Sequence, residues 1–449
     1  MNKQAEAIMR DGIAYHRMGN LAEAAARYQQ ILNTEPHNAG LLYLLGDIAV
    51  RQGNNGVAVC LLEASVKATP SVEALTALGC AYRAENFYQE AEEAWKQGLT
   101  IQETTELYNN LASSYSDHGQ PDIALRYVNR SLELDPTSPN AKWNRSLALL
   151  TIQHWPQAWA DHDTRFEPSV QTVSTRRNHN CPEWDGTPGV RLAIHGEQGV
   201  GDEVMFMSIL PDVLKLCPDS VIEVEPRLMD LTERSFGIPT YGNEKAMRAH
   251  EKPFDAVIAL GSLGRFFRLD DEQFPGTPYL VPDPERVEYW RRQYAMQGPR
   301  PFIGVAWQGG TKQTRIAQRS ISASDLKFCK RGTVVSLQYG PFAEDTAKEN
   351  GFLFYPESIG QDLDELAAMA AACDAVVTVA QTLVHIAGGL GVPTHVLTPL
   401  HSSWRYGMKS TMPWYSCVKL HRQTKADQWG YPLAECKKAI DQLCRSFEK

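Results

Sequence analysis

An apolar run, Arg191-Leu-Ala-Ile-His195, breaks into Gly196-Glu-Gln-Gly-Val-Gly-Asp202 and then takes on a helical pattern. Glycines at such a break let the backbone approach a ligand closely, and a helix start offers free N–H groups and a positive dipole end to an anion such as a phosphate. Asp202, a carboxylate at that helix mouth, is the first candidate for catalysis, with Glu203 beside it. The spacing is not the phosphate loop that ends in Gly-Lys-Ser/Thr, and it lacks the third glycine of the dinucleotide fingerprint. A tight turn with Asp202 as helix cap accounts for the same residues.

Further polar groups follow later apolar runs. Phe302-Ile-Gly-Val-Ala-Trp307, Thr333-Val-Val-Ser-Leu337, Ala375-Val-Val-Thr-Val379 and Thr394-His-Val-Leu-Thr398 read as strands. After them come Gln308-Gly-Gly310, Gln338-Tyr-Gly340, Gln381-Thr382 and Pro399-Leu-His401. Open parallel sheets bind ligands outside the carboxyl ends of their strands, which makes these residues binding candidates. Lys312, Arg315 and Arg319 either clamp phosphates, Arg being suited to two-pronged contacts, or belong to a solvated loop. The Gln338 amide could meet a nucleotide or satisfy local backbone. His385 lies in a helix expected to start near Thr382, whose small residues Ala387, Gly388, Gly389 and Gly391 let helix and sheet pack closely.

These residues need a scaffold. Strand-like runs at 221–224 and 256–260 alternate with helical patterns and predict a small parallel sheet over residues 190–297, and the later runs predict a second over 298–449 with a C-terminal helix. Two such sheets in series leave a cleft. Residues 166–189, polar and containing Pro168, Pro182 and Pro188, read as a surface linker.

A length of 449 residues with 43% hydrophobic content suits about three globular domains. The net charge of −9 argues against a nucleic-acid partner, which would need a basic face. No apolar run approaches the roughly 18 residues of a membrane span, and the N-terminus lacks the pattern of a signal peptide, so a cytoplasmic protein is expected. Nine scattered cysteines, never spaced Cys-x-x-Cys, suggest neither disulfides nor a zinc site.

Residues 1–165 carry an internal repeat. A step of 34 residues, then of 33 twice, aligns Gly12 and Tyr15 with Gly46 and Ala49, with Gly79 and Tyr82, and with Ala112 and Tyr115. Ala24, Ala58, Ala91 and Ala124 follow in register, and Pro36, Pro70 and Pro136 close three of the units. Small residues let paired helices touch, and proline ends the second helix. The pattern resembles the tetratricopeptide repeat, with a fifth, degenerate unit around Trp143, Leu149, Trp155, Ala158 and Trp159. Such α-solenoids usually hold a protein or peptide in a groove. Asn109, Asn110, Asn140 and Asn144 could line that groove or serve as ordinary helix-surface residues.

Taken in order, Glu183-Trp-Asp-Gly186, the 196–202 loop, Val305-Ala-Trp307, Ser336-Leu-Gln-Tyr339, His385-Ile-Ala-Gly-Gly-Leu-Gly-Val-Pro393, Trp404-Arg405, Pro413-Trp-Tyr415 and Arg422-Gln423 resemble the tetratricopeptide-repeat glycosyltransferases, relatives of the heptosyltransferases. The resemblance covers nearly the whole chain. It implies an α-solenoid followed by a GT-B pair of Rossmann-like α/β halves, acceptor side first and nucleotide-sugar side second. It also implies an inverting, metal-independent transfer of a sugar from a nucleotide-sugar substrate, with no separate cofactor, to a protein such as flagellin.

By that resemblance Asp202 is the base, with Glu203 as alternative. Gly199, Gly201, Trp307, Lys312, Arg319, Gln338, Gln381, Thr382, His385 and Arg405 surround the donor. The family's Asp-Thr pair is replaced by Ala380-Gln381-Thr382, which removes an acidic group. A catalytically inactive scaffold or chaperone working through its repeats is therefore the competing expectation. A nucleotide-cofactor oxidoreductase is disfavoured by the incomplete glycine fingerprint.

Overall fold

A computed structural model describes residues 3–448 apart from 171, 173, 251, 311–315 and 357–361. It divides into two compact units, Met1–Arg145 and Ser146–Lys449.

The first unit is a run of helix pairs: α1 (Lys3–Arg17), α2 (Leu21–Leu32), α3 (Ala39–Arg51), α4 (Asn55–Ala68), α5 (Val72–Ala84), α6 (Tyr88–Ile101), α7 (Thr105–Asp117) and α8 (Pro121–Leu134). A ninth helix, α9 (Pro139–Thr151), contains the division, which therefore falls before residue 165. Side chains of Asn20, Asn38, Ser71 and Thr104 cap the starts of α2, α3, α5 and α7 by accepting from otherwise orphaned N–H groups.

The repeated small residue has a specific partner sixteen positions on. A Cβ on Gly12 would meet the Tyr28 ring at 2.7 Å, one on Gly46 the Leu62 side chain at 2.6 Å, and one on Gly79 the Trp95 indole at 2.2 Å. In the fourth unit Ala112 replaces glycine, and its counterpart in the shared core is the smaller Val128. The sequence period thus records a size match between facing helices.

The second unit continues with α10 (Trp155–His162) and a 3-10 turn (Asp163–Phe166). Its first lobe contains β1 (Leu192–His195), α11 (Val200–Met207), α12 (Leu210–Leu216), β2 (Val221–Glu223), α13 (Met229–Phe236), β3 (Thr240–Tyr241), α14 (Glu244–Arg248), β4 (Ala256–Ala259), α15 (Gly264–Phe267) and α16 (Pro284–Gln297). The second lobe contains β5 (Phe302–Ala306), β6 (Thr333–Ser336), α17 (Ala343–Asn350), α18 (Leu363–Ala371), β7 (Ala375–Val379), α19 (Thr382–Leu390), β8 (Thr394–Thr398), β9 (Thr411–Met412), β10 (Tyr415–Arg422) and α20 (Gly430–Phe447).

The first sheet is parallel, in the order β3-β2-β1-β4. The second has the order β6-β5-β7-β8-β10-β9, parallel except for the antiparallel pair β9–β10. Strands β1, β4, β5 and β7 are buried along their whole length, which explains their uninterrupted apolar sequence.

Two expectations change. The segment at 166–189 is not a surface linker throughout: Trp184 is fully buried, and its N–H donates to the Val257 carbonyl at 2.9 Å, so this stretch joins the open edge of β4. An aromatic body that contacts the neighbouring helices provides enough apolar area to hold a polar chain in place. The eight-residue β10 was also absent from the expected strands. Its exposed Ser416 and Lys419 interrupt the apolar run that marked the other strands.

Candidate functional site

The chain reverses direction across each sheet beside its first strand. From β1 it runs to β2 and β3 on one side and returns to β4 on the other, and from β5 it runs to β6 and returns to β7. Crevices open at such switch points, outside the carboxyl ends of the strands. The loops after β1, β5 and β7 therefore carry the candidate residues.

After β1, Gln198 adopts a left-handed φ of 64° and Gly199 is the N-cap of α11. This turn aims α11 at the second lobe. A Cβ on Gly201 would lie 3.1 Å from Cδ2 of His385 and 3.5 Å from Oγ1 of Thr382, so the first turns of α11 and α19 approach closely. Glycine is needed at 201 for that approach. Gln381, the N-cap of α19, offers no side-chain cap; its amide instead donates to Thr378 at 3.0 Å.

Asp202 lies at this meeting point, mostly buried, and its carboxylate accepts from Nε of Arg405. Arg405 comes from the turn Trp404–Tyr406 after β8, and its Nη2 also lies 3.4 Å from Oε1 of Gln198. His385 is buried, with Nδ1 3.1 Å from the Tyr415 hydroxyl. Burial, followed by the nearby Arg405 and Arg319, pushes the His385 pKa down to about 3. The imidazole is neutral at physiological pH and works as a hydrogen-bonding group. Tyr406 packs 6.1 Å from the His385 ring, and burial holds its phenol up at about 12.

Arg319 donates from Nε to the Ala380 carbonyl at 3.2 Å, which fixes it beside the start of α19. Gly309 lies against the same stretch, where a Cβ would meet that carbonyl at 2.8 Å. Asp202, Arg319, Thr382, His385 and Arg405 thus converge. Lys312 and Arg315 lie outside the described residues.

Other candidates are used locally. Glu203 points away from the cleft: its Oε2 accepts from the Glu225 N–H at 2.8 Å, and its carboxyl fills the space a Cβ on Gly196 would need. Burial raises its pKa to about 8. The Gln338 amide accepts from the N–H groups of Trp307 and Gln308 at 2.9 and 2.8 Å and donates to the Tyr339 carbonyl at 2.8 Å, which shapes the loop after β5. Trp307 is buried in the core of the second lobe. In the repeats, Asn144 reaches the Asn109 carbonyl at 3.4 Å, Asn110 approaches Cys80 and Asn140 is exposed.

Sequence reasoning missed a buried charge network behind the loop. Arg165 donates from Nε to Oε2 of Glu197 at 2.8 Å and from Nη2 to Ser262 at 2.9 Å, while Glu197 accepts from the Gly261 N–H at 3.1 Å. Only the placement of Glu197 in the glycine-rich loop after β1 hinted at a purpose. Among the described residues no group of three or more His, Cys, Asp or Glu side chains is arranged to hold a metal ion, and no helix is long and apolar enough to cross a membrane.

Residues 10–73 and 105–138 match the family described as Tetratricopeptide repeat, so the N-terminal part carries these repeats. Over nearly its whole length the chain is similar to Protein FlbA of Caulobacter vibrioides, with 28% identity covering 97% of this chain and 84% of that one. Among solved structures, the crystal structure of MamA is 23% identical, covering 35% of this chain and 92% of that one, with a TM-score of 0.32. The Thermus thermophilus tetratricopeptide protein TTC0263 is 18% identical, covering 37% of this chain and 92% of that one, with a TM-score of 0.32.

Proposed function

We propose that this chain is an inverting, metal-independent glycosyltransferase of GT-B type that acts in the cytoplasm on a protein bound by its repeats. The observation that carries the reading is the close approach of α11, bearing Asp202, to the start of α19, bearing Thr382 and His385. In this reading Asp202 takes the proton from the acceptor hydroxyl as its oxygen attacks the anomeric carbon. The bond from that carbon to the diphosphate oxygen breaks, and the departing charge is stabilised by the uncapped N–H groups of α19 and by Arg319 and Arg405. His385, neutral, donates or accepts one hydrogen bond at the same place.

The test is release of nucleoside diphosphate from a panel of nucleotide sugars, with and without acceptor protein. Asp202→Asn should abolish release while leaving the fold intact. Full turnover in that variant removes the base assignment, and a protein whose melting temperature no nucleotide sugar shifts is not a transferase.

A second reading is supported by the Arg405 guanidinium on Asp202 and by the neutral Gln381 in place of an acid. In that reading the α/β lobes no longer turn over, and the chain is a scaffold or chaperone that holds a protein through its repeats.

A further inference from the structure

One short element touches both lobes of the second unit. On the first-lobe side, Arg165 holds Glu197 in the 196–199 loop and Ser262 after β4, and its side chain is completely buried. The Trp159 indole N–H donates to the Arg268 carbonyl at 2.7 Å, and that of Trp155 to Asp271 at 2.8 Å. A Cβ on Gly264 would meet the Trp159 ring at 2.6 Å, so α10 is pressed against α15 without clearance. On the second-lobe side, Trp404 meets Trp159 edge-on at 6.4 Å and His162 at 6.2 Å. Gly407 has a left-handed φ of 54°, and a Cβ there would lie 3.3 Å from Nε2 of Gln153.

This element's partners include a residue of the loop before the candidate base and the residue before its arginine partner. Glu197 lies in the loop that leads into α11, whose first turn carries Asp202, and Trp404 precedes Arg405, whose guanidinium lies 5.1 Å from the Trp404 ring. Burial disfavours protonation of His162, and the positive charges of Arg165 and Arg405 add to the effect.

We infer that α10 and the turn Asp163–Phe166 form a clamp that holds the 196–199 loop and the 404–407 turn in register, with Trp159 and Arg165 as positioning residues for the Asp202–Arg405 contact. The inference rests on Asp202 as the centre of the site. Its physical basis is rigidity: a buried guanidinium cannot leave its carboxylates without strong cost, and an indole hydrogen-bonded on one lobe while packed against the other couples the two. Loss of the clamp should loosen both lobes at once.

The test is hydrogen–deuterium exchange on the full chain, which needs no substrate. In Trp159→Ala and in Arg165→Lys, exchange should rise about tenfold in peptides covering 196–203 and also in those covering 402–407, with 333–338 unchanged. Trp159→Phe, which keeps a ring against Trp404 but loses the donor, should give a smaller rise in the same two places. It decides the matter if Trp159→Ala does not fold. A rise confined to 155–167, or to one lobe, overturns the clamp. Where the parent protein releases nucleoside diphosphate, kcat should fall about tenfold in Arg165→Lys with KM nearly unchanged, because binding groups stay while alignment is lost. Paired exchange changes in a protein without turnover leave the clamp standing and remove the transferase reading. Turnover with unpaired exchange changes does the reverse.

Discussion

The guanidinium of Arg405, carried by the turn after β8, meets the carboxylate of Asp202 on α11, so an ion pair joins the two lobes at the point where the cleft would react. In the proposed transfer, an incoming diphosphate would compete for that guanidinium and free the carboxylate to act as a base. Arg405→Gln should lower kcat for diphosphate release by about 100-fold, as loss of one preorganised donor to a developing anion does. Steady-state kinetics on the best nucleotide sugar check this. An unchanged kcat would assign Arg405 a purely structural part.

Glu203 makes stability depend on pH. Burial raises its folded pKa to about 8, whereas an unfolded glutamate titrates near the ordinary value of 4.5. The folded state therefore holds a proton that the unfolded state has lost between those values. The stabilisation is complete below about pH 4.5 and disappears as pH rises through about 8. Glu203→Gln keeps an acceptor for the Glu225 N–H and cannot ionise, so its melting temperature should exceed that of the parent at pH 8.5 and match it at pH 5. The difference is on the order of a few kcal/mol. Parallel melting curves across that range would refute the assignment.

His385 should give no titration limb near neutrality. Its pKa of about 3 keeps the ring neutral from pH 5 to 8, and its NMR ring signals should not move over that range. If nucleoside diphosphate binds beside Arg319 and Arg405 as proposed, it cancels part of their repulsion, and the pKa should rise on binding. Tyr415→Phe removes the partner of Nδ1 and should slow turnover more than it weakens binding.

In the repeats, Gly79→Ala should destabilise the protein by about 1–3 kcal/mol, because a methyl at that position overlaps the buried Trp95 indole. The displaced indole would also lose its 3.1 Å bond to the Thr76 carbonyl. Ala112→Gly, at the matching position beside the smaller Val128, should cost less, about 1 kcal/mol, mostly from helix propensity. Chemical denaturation of both variants measures the contrast.

The repeats were legible because each unit solves one packing problem with residues of matched size, as at Gly46 and Leu62. The strands β1, β5 and β7 were legible because burial on both faces makes their sequence uniformly apolar. Asp202 and His385 could be placed at helix starts from local spacing. Their mutual approach could not, since it depends on which way each turn aims its helix. Arg165 and Glu197 are separated by 32 positions, and nothing in either residue announces a fully buried pair. The polar groups of Gln338 and Gln381 were visible, but their use on local partners depends on backbone geometry.

The placement of β10 bears on how the chain matures. This late segment is inserted beside β8, with Val418 opposite Thr394 and Arg422 opposite Thr398, and α20 then packs over both strands. Until about residue 422 has been synthesised, β8 presents a row of unpaired amides and carbonyls. Nascent or prematurely terminated chains should therefore depend on chaperones and be lost as aggregates, and a truncated second lobe would not persist as a soluble fragment.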